Sequence, residues 1–238
     1  MCYFCGDKAE DMKKALLFLF VMMCLGASAQ SMSGSRWYDY DRNSYFGVRL
    51  GGSWTQMFTN IDNSTMSGRI GWHAGVAYGK QLGRGVPLFF ETGLYFTQKC
   101  TRATFLRTAQ TEAEEHDLTL DYIEVPLLFK YKISTGVDDL SVQPFVGGFV
   151  AVGVAGKDHS YADRENYKVF SGRGFKRFDG GLKVGCGLGY QNFYFEVSYD
   201  IGLANILDGN DSNRMYDYDA FEDRIRTGCL CASVGLEF

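Results

Sequence analysis

The sequence predicts an all-β chain: an eight-stranded antiparallel up-and-down transmembrane β-barrel preceded by a cleaved signal peptide. Three observations predict it. Residues 12–30 read as an export signal. From about residue 45 to the last residue the hydrophobic pattern has period 2 and never gives way to a long helical period. Aromatics and glycine are abundant together (19 Phe, 15 Tyr, 3 Trp and 29 Gly in 238 residues) while proline is limited to 3. Average glycine usage is ~7%. The composition excludes several classes. Disordered chains are poor in aromatics, collagen needs a G-X-Y period, and a net charge of -4 argues against nucleic acid as a partner, since phosphate contacts need basic clusters.

The leader comes first. Lys13 and Lys14 form a positive start, an apolar run follows from Ala15 to Leu25, and Ala27-Ser28-Ala29 supplies the small-x-small cleavage pattern. The run is too short for a spanning helix, which needs about 20 apolar residues. Cleavage after Ala29 leaves Gln30 as the mature N-terminus. Met12 fits the signal pattern better than Met1 as the start. A lipid-attachment site at Cys24 is a poorer fit, because Val21-Met22-Met23 lacks the small residue such sites favour. The expected organisation is 1–29 leader with upstream extension, 30–44 a short periplasmic segment, and 45–238 the barrel. Cys2, Cys5 and Cys24 depart with the leader, and Cys100, Cys186, Cys229 and Cys231 remain. Cys229 and Cys231 share one strand face and read as small fillers rather than a disulfide framework.

Eight strands follow, bounded by turn signals, at about 45–57, 69–82, 87–99, 118–133, 141–155, 176–190, 193–205 and 225–238. Alternation is sharpest in the seventh, where Phe193, Phe195, Val197, Tyr199 and Ile201 oppose Tyr194, Glu196, Ser198, Asp200 and Gly202. In the eighth, Leu230, Val234, Leu236 and Phe238 oppose Cys229, Cys231, Ser233 and Glu237; the fifth strand is ambiguous. One face is large and apolar, the other small and charged. A soluble, lipocalin-like barrel would turn the apolar face inward; a transmembrane barrel turns it to lipid and fills its lumen with polar side chains. The export signal favours the membrane. So do glycines beside charges, which suit a narrow lumen, and strands longer than the 9–11 residues a tilted crossing needs. Long and short connections alternate, which places long loops outside and both termini in the periplasm. Phe46, Phe90, Tyr131, Tyr190, Phe193 and Phe238 toward one end, with Trp54, Trp72 and Phe96 toward the other, read as interfacial aromatic girdles.

Several segments carry a family resemblance. Tyr122-Ile123-Glu124-Val125-Pro126-Leu127-Leu128 with Lys130-Tyr131, Gln143-Pro144-Phe145-Val146-Gly147, Gly181-Leu182-Lys183-Val184-Gly185, Tyr199-Asp200-Ile201-Gly202-Leu203 and the closing Gly235-Leu236-Glu237-Phe238 resemble the PorT-like outer-membrane β-barrel ("porin family") proteins of Bacteroidota. The resemblance covers about 45–238. It implies an eight-stranded barrel in the bacterial outer membrane and does not fix one function. Leu236 and Phe238 resemble the terminal signal read by the barrel-assembly machinery, with Ser233 where that signal often has glycine.

The candidate site is the lumen. Arg49, Lys130, Lys132 and Lys183 are expected to face Glu91, Glu124, Asp179, Glu196, Asp200 and Glu237 there. Buried charges must be paired or hydrogen-bonded, and eight strands enclose a lumen just wide enough to be filled by side chains. The charges therefore read as a plug; a selective pore is the alternative. Pro126 is expected to mark a bend. His73 should point inward, while His116-Asp117 and Asp158-His159 fall in expected outer loops. Neither a G-x-S-x-G nor an H-E-x-x-H pattern is present. Asp208-x-Asn210-x-Ser212 begins like a calcium loop, but Asn213 stands where such a loop requires glycine. No catalytic residue, cofactor or metal ligand is expected. The expected role is a structural or interaction barrel of the cell envelope. Its expected partners are outer-membrane lipid and lipopolysaccharide, the assembly machinery during biogenesis, and an envelope protein that the sequence does not name. A small-solute pore and a surface lipid- or peptide-modifying enzyme are the alternatives.

Overall fold

A computed structural model describes residues 43–59, 64–83, 85–105, 114–136, 139–160, 166–170, 175–207 and 224–238. The expected leader with Ala27, Ala29 and Gln30, the segment to residue 42, and the acidic stretch 208–223 lie outside the described residues.

Eight long strands build the molecule: β1 (Ser44–Thr59), β2 (Ser64–Gln81), β3 (Leu88–Phe105), β4 (Glu114–Tyr131), β5 (Leu140–Ser160), β6 (Phe178–Tyr190), β7 (Phe193–Gly202) and β8 (Ile225–Glu237). Two short strand pieces, Ile133–Ser134 and Asn166–Lys168, pair with β5. Every neighbour pair is antiparallel. β8 returns to β1 with Val48 opposite Leu236, and β4 pairs β5 with Glu124 opposite Ala151. The sheet is therefore a closed barrel with no free edge. Phe46 and Phe238 exchange backbone hydrogen bonds of 3.0 and 2.8 Å where β1 begins and β8 ends. That end is the terminal rim; the opposite end is the loop rim.

The alternation sorts as its chemistry dictates over the terminal part of the barrel. Val48, Leu50, Leu127, Val146, Leu182, Phe195 and Val234 are exposed on the outside. Arg49, Glu91, Glu124, Lys130 and Asp200 are buried inside. The ambiguous fifth strand resolves with Val146, Val150, Val152 and Val154 outward and Gln143, Phe145, Phe149 and Ala151 inward. Trp72 stacks on Phe96 outside the barrel, with ring centroids 4.8 Å apart. Inward glycines make room for the large side chains that cross the lumen. A Cβ at Gly187 would lie 2.1 Å from the Tyr194 hydroxyl, and one at Gly79 would lie 2.2 Å from the Tyr45 ring.

Toward the loop rim the polarity inverts. Met57, Met66, Ala103, Leu118, Leu120, Tyr122, Phe149 and Ile225 form a buried apolar cluster inside the barrel, joined by Val169, Phe175, Ile206 and Leu207. Outside, at the same level, stand Ser67, Arg69, Arg102, Asp117 and Lys157. Asp117 accepts from Arg69 at 2.7 Å and Arg102 at 2.8 Å. Register shifts between Arg69 and His73 in β2 and between Asp121 and Tyr122 in β4 lie near this boundary.

Three expectations are corrected. His116 and His159 lie in β4 and β5 rather than in loops, because these strands run on into the inverted zone. Pro126 brings no bulge: it stays in register opposite Phe149, while the β3 ladder omits Gly93 and Leu94 across from Pro126 and Val125. The strict long-short alternation of connections fails at the first hairpin. β1 reaches Thr59 and β2 begins at Ser64, so the expected long loop shrinks to four residues.

Candidate functional site: the barrel interior

The inward face stacks charged residues in tiers. Nearest the terminal rim, Glu91 on β3 is the hub. It accepts from Arg49 Nη1 at 2.8 Å and Nη2 at 2.7 Å, from Lys130 Nζ at 2.6 Å, and from the Tyr45 hydroxyl. Arg49 reaches on to Glu196 at 3.0 Å, Glu237 at 3.1 Å and the Tyr95 hydroxyl at 3.2 Å. Lys130 also donates to the Tyr194 hydroxyl (2.8 Å), which donates in turn to Glu196 (2.9 Å). Lys132 approaches Glu237 at 3.4 Å. The Arg49 guanidinium lies 4.2 Å from the centre of the Tyr194 ring, within cation–π range. Arg49, Glu91 and Lys130 are all buried, so each ionised group is held by partners rather than by water.

In the middle tier Lys183 on β6 bridges Glu124 at 3.0 Å and Asp200 at 2.9 Å. Between these two tiers lies a cavity of about 10 Å³ lined by Arg49, His73, Glu124, Lys183, Ser198 and Cys231 among others, room for about one water. His73 Nδ1, Glu124 Oε2, Ser198 Oγ and Arg49 Nε are buried without a hydrogen-bond partner among the described residues, which gives that volume a polar wall.

The third tier is Lys99 on β3. Its Nζ is 2.8 Å from Asp179 Oδ2, which also accepts from Thr227 Oγ1 at 2.8 Å. The ammonium lies 5.1 Å from the Tyr122 ring centre and 4.9 Å from that of Phe149. Both Lys99 and Asp179 are fully buried. Above them the apolar cluster begins, and His116 contacts Asp158 at 3.2 Å on its inward side.

All ten lumen residues named from the sequence (Arg49, Glu91, Glu124, Lys130, Lys132, Asp179, Lys183, Glu196, Asp200 and Glu237) stand on the inward face, and each takes part in these ion pairs. Sequence reasoning missed Lys99, and with it the ammonium that neutralises Asp179. The signal was present: Lys99 shares the odd-numbered inward face of Glu91, Tyr95 and Thr97, but the strand was expected to end there. Tyr45, Tyr95 and Tyr194, whose hydroxyls bridge the charges, were also missed as network members. Their inward parity marks them as lumen residues.

Several solved structures align with the chain at low similarity. The attachment invasion locus protein Ail of Yersinia pestis aligns at 13% identity and TM-score 0.38, over 82% of this chain and 99% of that one. Neisserial surface protein A aligns at 14% and 0.39, over 81% and 97%. The N-terminal β-barrel domain of Pseudomonas aeruginosa OprF aligns at 12% and 0.36, over 82% and 98%. No curated protein matches the chain. A family model described as an outer membrane protein beta-barrel domain matches residues 28–208. With an eight-stranded closed barrel whose outer belt is apolar and whose lumen is ionic, the chain belongs to the outer membrane protein beta-barrel domain family.

Proposed function

We propose that this outer-membrane barrel is a structural or interaction protein of the cell envelope whose lumen does not conduct. The observation that carries the reading is the Glu91 hub. Arg49 and Lys130 meet there from strands on opposite sides of β3 and extend the bonding to Glu196, Glu237 and Tyr194, which spans the narrow lumen with paired charge. An eight-stranded barrel has little interior to spare once such side chains fill it. The apolar cluster at the loop rim supports closure at the other end.

On this reading the long connections face outward and both termini are periplasmic, as in bacterial barrels generally. The partners are outer-membrane lipid and lipopolysaccharide, an envelope protein docking on loops or turns, and the assembly machinery during biogenesis, which reads Leu236 and Phe238. The chain carries no catalytic site and acts through its surfaces. Within the family, the PorT-like proteins of Bacteroidota are the subgroup whose segments it resembles.

The test is single-channel conductance of the refolded barrel in a planar bilayer, with folding established by a mobility shift on boiling. Silence from inserted barrels is expected, followed by crosslinking of partners in envelope preparations. Steady conductance steps whose size changes in Glu124→Gln would overturn the plug and make the protein a small-solute pore.

A further inference from the structure

We propose that Asp200, Cys229 and Cys231 form a binding site for a thiophilic divalent cation of the zinc class. The sequence alone offers two cysteines spaced i, i+2, too few donors for a site. The fold adds the third, because Asp200 on β7 is the direct cross-strand neighbour of Cys229 on β8. One carboxylate oxygen and the two sulfurs all lie within 4.8 Å of one another, and all three residues are buried. Both cysteines are free thiols. Their sulfurs are 3.5 Å apart, against about 3.8 Å for two sulfurs on one tetrahedral ion with bonds of about 2.3 Å. The donors stand on paired strands of a closed barrel, so the site closes by side-chain movement: a few tenths of an ångström between the sulfurs, and a turn of the Asp200 carboxylate that brings its oxygen in from within 4.8 Å.

The surroundings suit that chemistry. Thr55 Oγ1 contacts Cys229 Sγ at 3.2 Å and orients it from outside the donor set, as supporting hydrogen bonds do in metal sites. Cys231 also lines the polar cavity, whose room for one water supplies a fourth position. Two sulfurs select soft or borderline ions over magnesium and calcium, which take oxygen. Charge balances as well. The dication binds two thiolates, two thiol protons leave to solvent, and nothing is oxidised or reduced, so the net charge of the lumen is unchanged. Lys183 keeps its partner Glu124 at 3.0 Å while Asp200 turns one oxygen to the ion.

Cadmium serves as the spectroscopic probe. The full barrel is refolded in detergent with a non-thiol reductant and Cd²⁺, then stripped of loose metal with EDTA, with folding checked by heat-dependent mobility. The expected result is one chelator-resistant Cd²⁺ per folded barrel with an ultraviolet thiolate-to-cadmium absorption band. The paired change Cys229→Ser with Cys231→Ser abolishes both; Cys100→Ser with Cys186→Ser leaves both intact. Asp200→Asn keeps the band and weakens retention at least tenfold. Loss of bound cadmium from the folded wild-type barrel, or retention that survives the paired serine change, would overturn the proposal. Should that variant fail to fold, X-ray absorption of the loaded wild-type barrel counts the ligands directly. Two sulfurs support the site; none or one refutes it, as does a barrel mass two daltons low from a disulfide formed under reductant.

Discussion

Lys99 and Asp179 offer a direct probe of whether the lumen is dry. Their charges meet at 2.8 Å with neither group exposed. Asp179 has two further donors, Thr227 Oγ1 at 2.8 Å and the Gly180 amide at 2.8 Å, so it is a fully bonded carboxylate only while Lys99 remains. Lys99→Met removes the ammonium and its contacts with the Tyr122 and Phe149 rings, and strands the carboxylate. Breaking a buried pair in this way costs about 3–5 kcal/mol. Asp179→Asn strands the ammonium and should cost a similar amount. The double variant strands neither charge and should cost only about 1–2 kcal/mol, since replacing a whole buried pair is far cheaper than breaking it. The single costs should therefore exceed the double cost by several kcal/mol. The assay is equilibrium urea unfolding of the barrel in lipid vesicles, followed by the fluorescence of Trp54 and Trp72 and by gel mobility. Single costs below about 1 kcal/mol, or costs that simply add within about 0.5 kcal/mol, would mean that water screens the pair. The lumen would then be hydrated at this level, and the reasoning behind the plug would fail.

Other expectations follow from the same geometry. Gly187→Val drives a side chain into the Tyr194 hydroxyl, 2.1 Å from where its Cβ would stand; it should lower stability by about 1–3 kcal/mol in the same unfolding assay. Gly52→Ala, with its nearest neighbour 3.9 Å away, should be neutral or slightly stabilising. Phe238→Ser keeps the backbone bonds that join residue 238 to Phe46, so the purified chain should refold normally. Its amount in the outer membrane of expressing cells, measured by blotting fractions, should fall if the last residue is an assembly signal. Gln191 sits at φ 54° in the two-residue turn between β6 and β7, a conformation costing a non-glycine residue roughly 1–2 kcal/mol. Gln191→Gly should raise the urea midpoint, offset slightly by loss of the exposed 3.5 Å contact with Asp139.

The terminal part of the barrel was legible because one physical rule governs it: apolar side chains outside, polar ones inside, on alternating residues. β7 and β8 follow that rule to their ends at the terminal rim, and their strand limits were placed closely. The loop-rim half was not legible because the rule reverses there. In β4 the buried apolar residues Leu118, Leu120 and Tyr122 are even-numbered, whereas the outward apolar residues Ile123, Val125 and Leu127 are odd-numbered. A reader tracking a single apolar face sees the pattern dissolve, and takes His116 and Asp158 for loop residues. Extra residues in β2, between Arg69 and His73, and in β5, opposite Asp121 and Tyr122, break the count further. The ion pairs themselves were legible only as a population. Parity puts a residue inside, but which carboxylate meets which ammonium depends on the tilt and stagger of closure, and those belong to the whole barrel.

The reversal of polarity also bears on how the chain finds its alignment. Slipping β4 by one residue would present Leu118 and Leu120 to water at one end while carrying Ile123 and Leu127 into the charged interior at the other. A strand obeying a single rule is held by one solvent boundary. This one is held by two of opposite sign, so an error cannot be absorbed by sliding further in either direction. The segment that makes the sequence hardest to read is thus the one that leaves the folding chain the fewest alternative pairings.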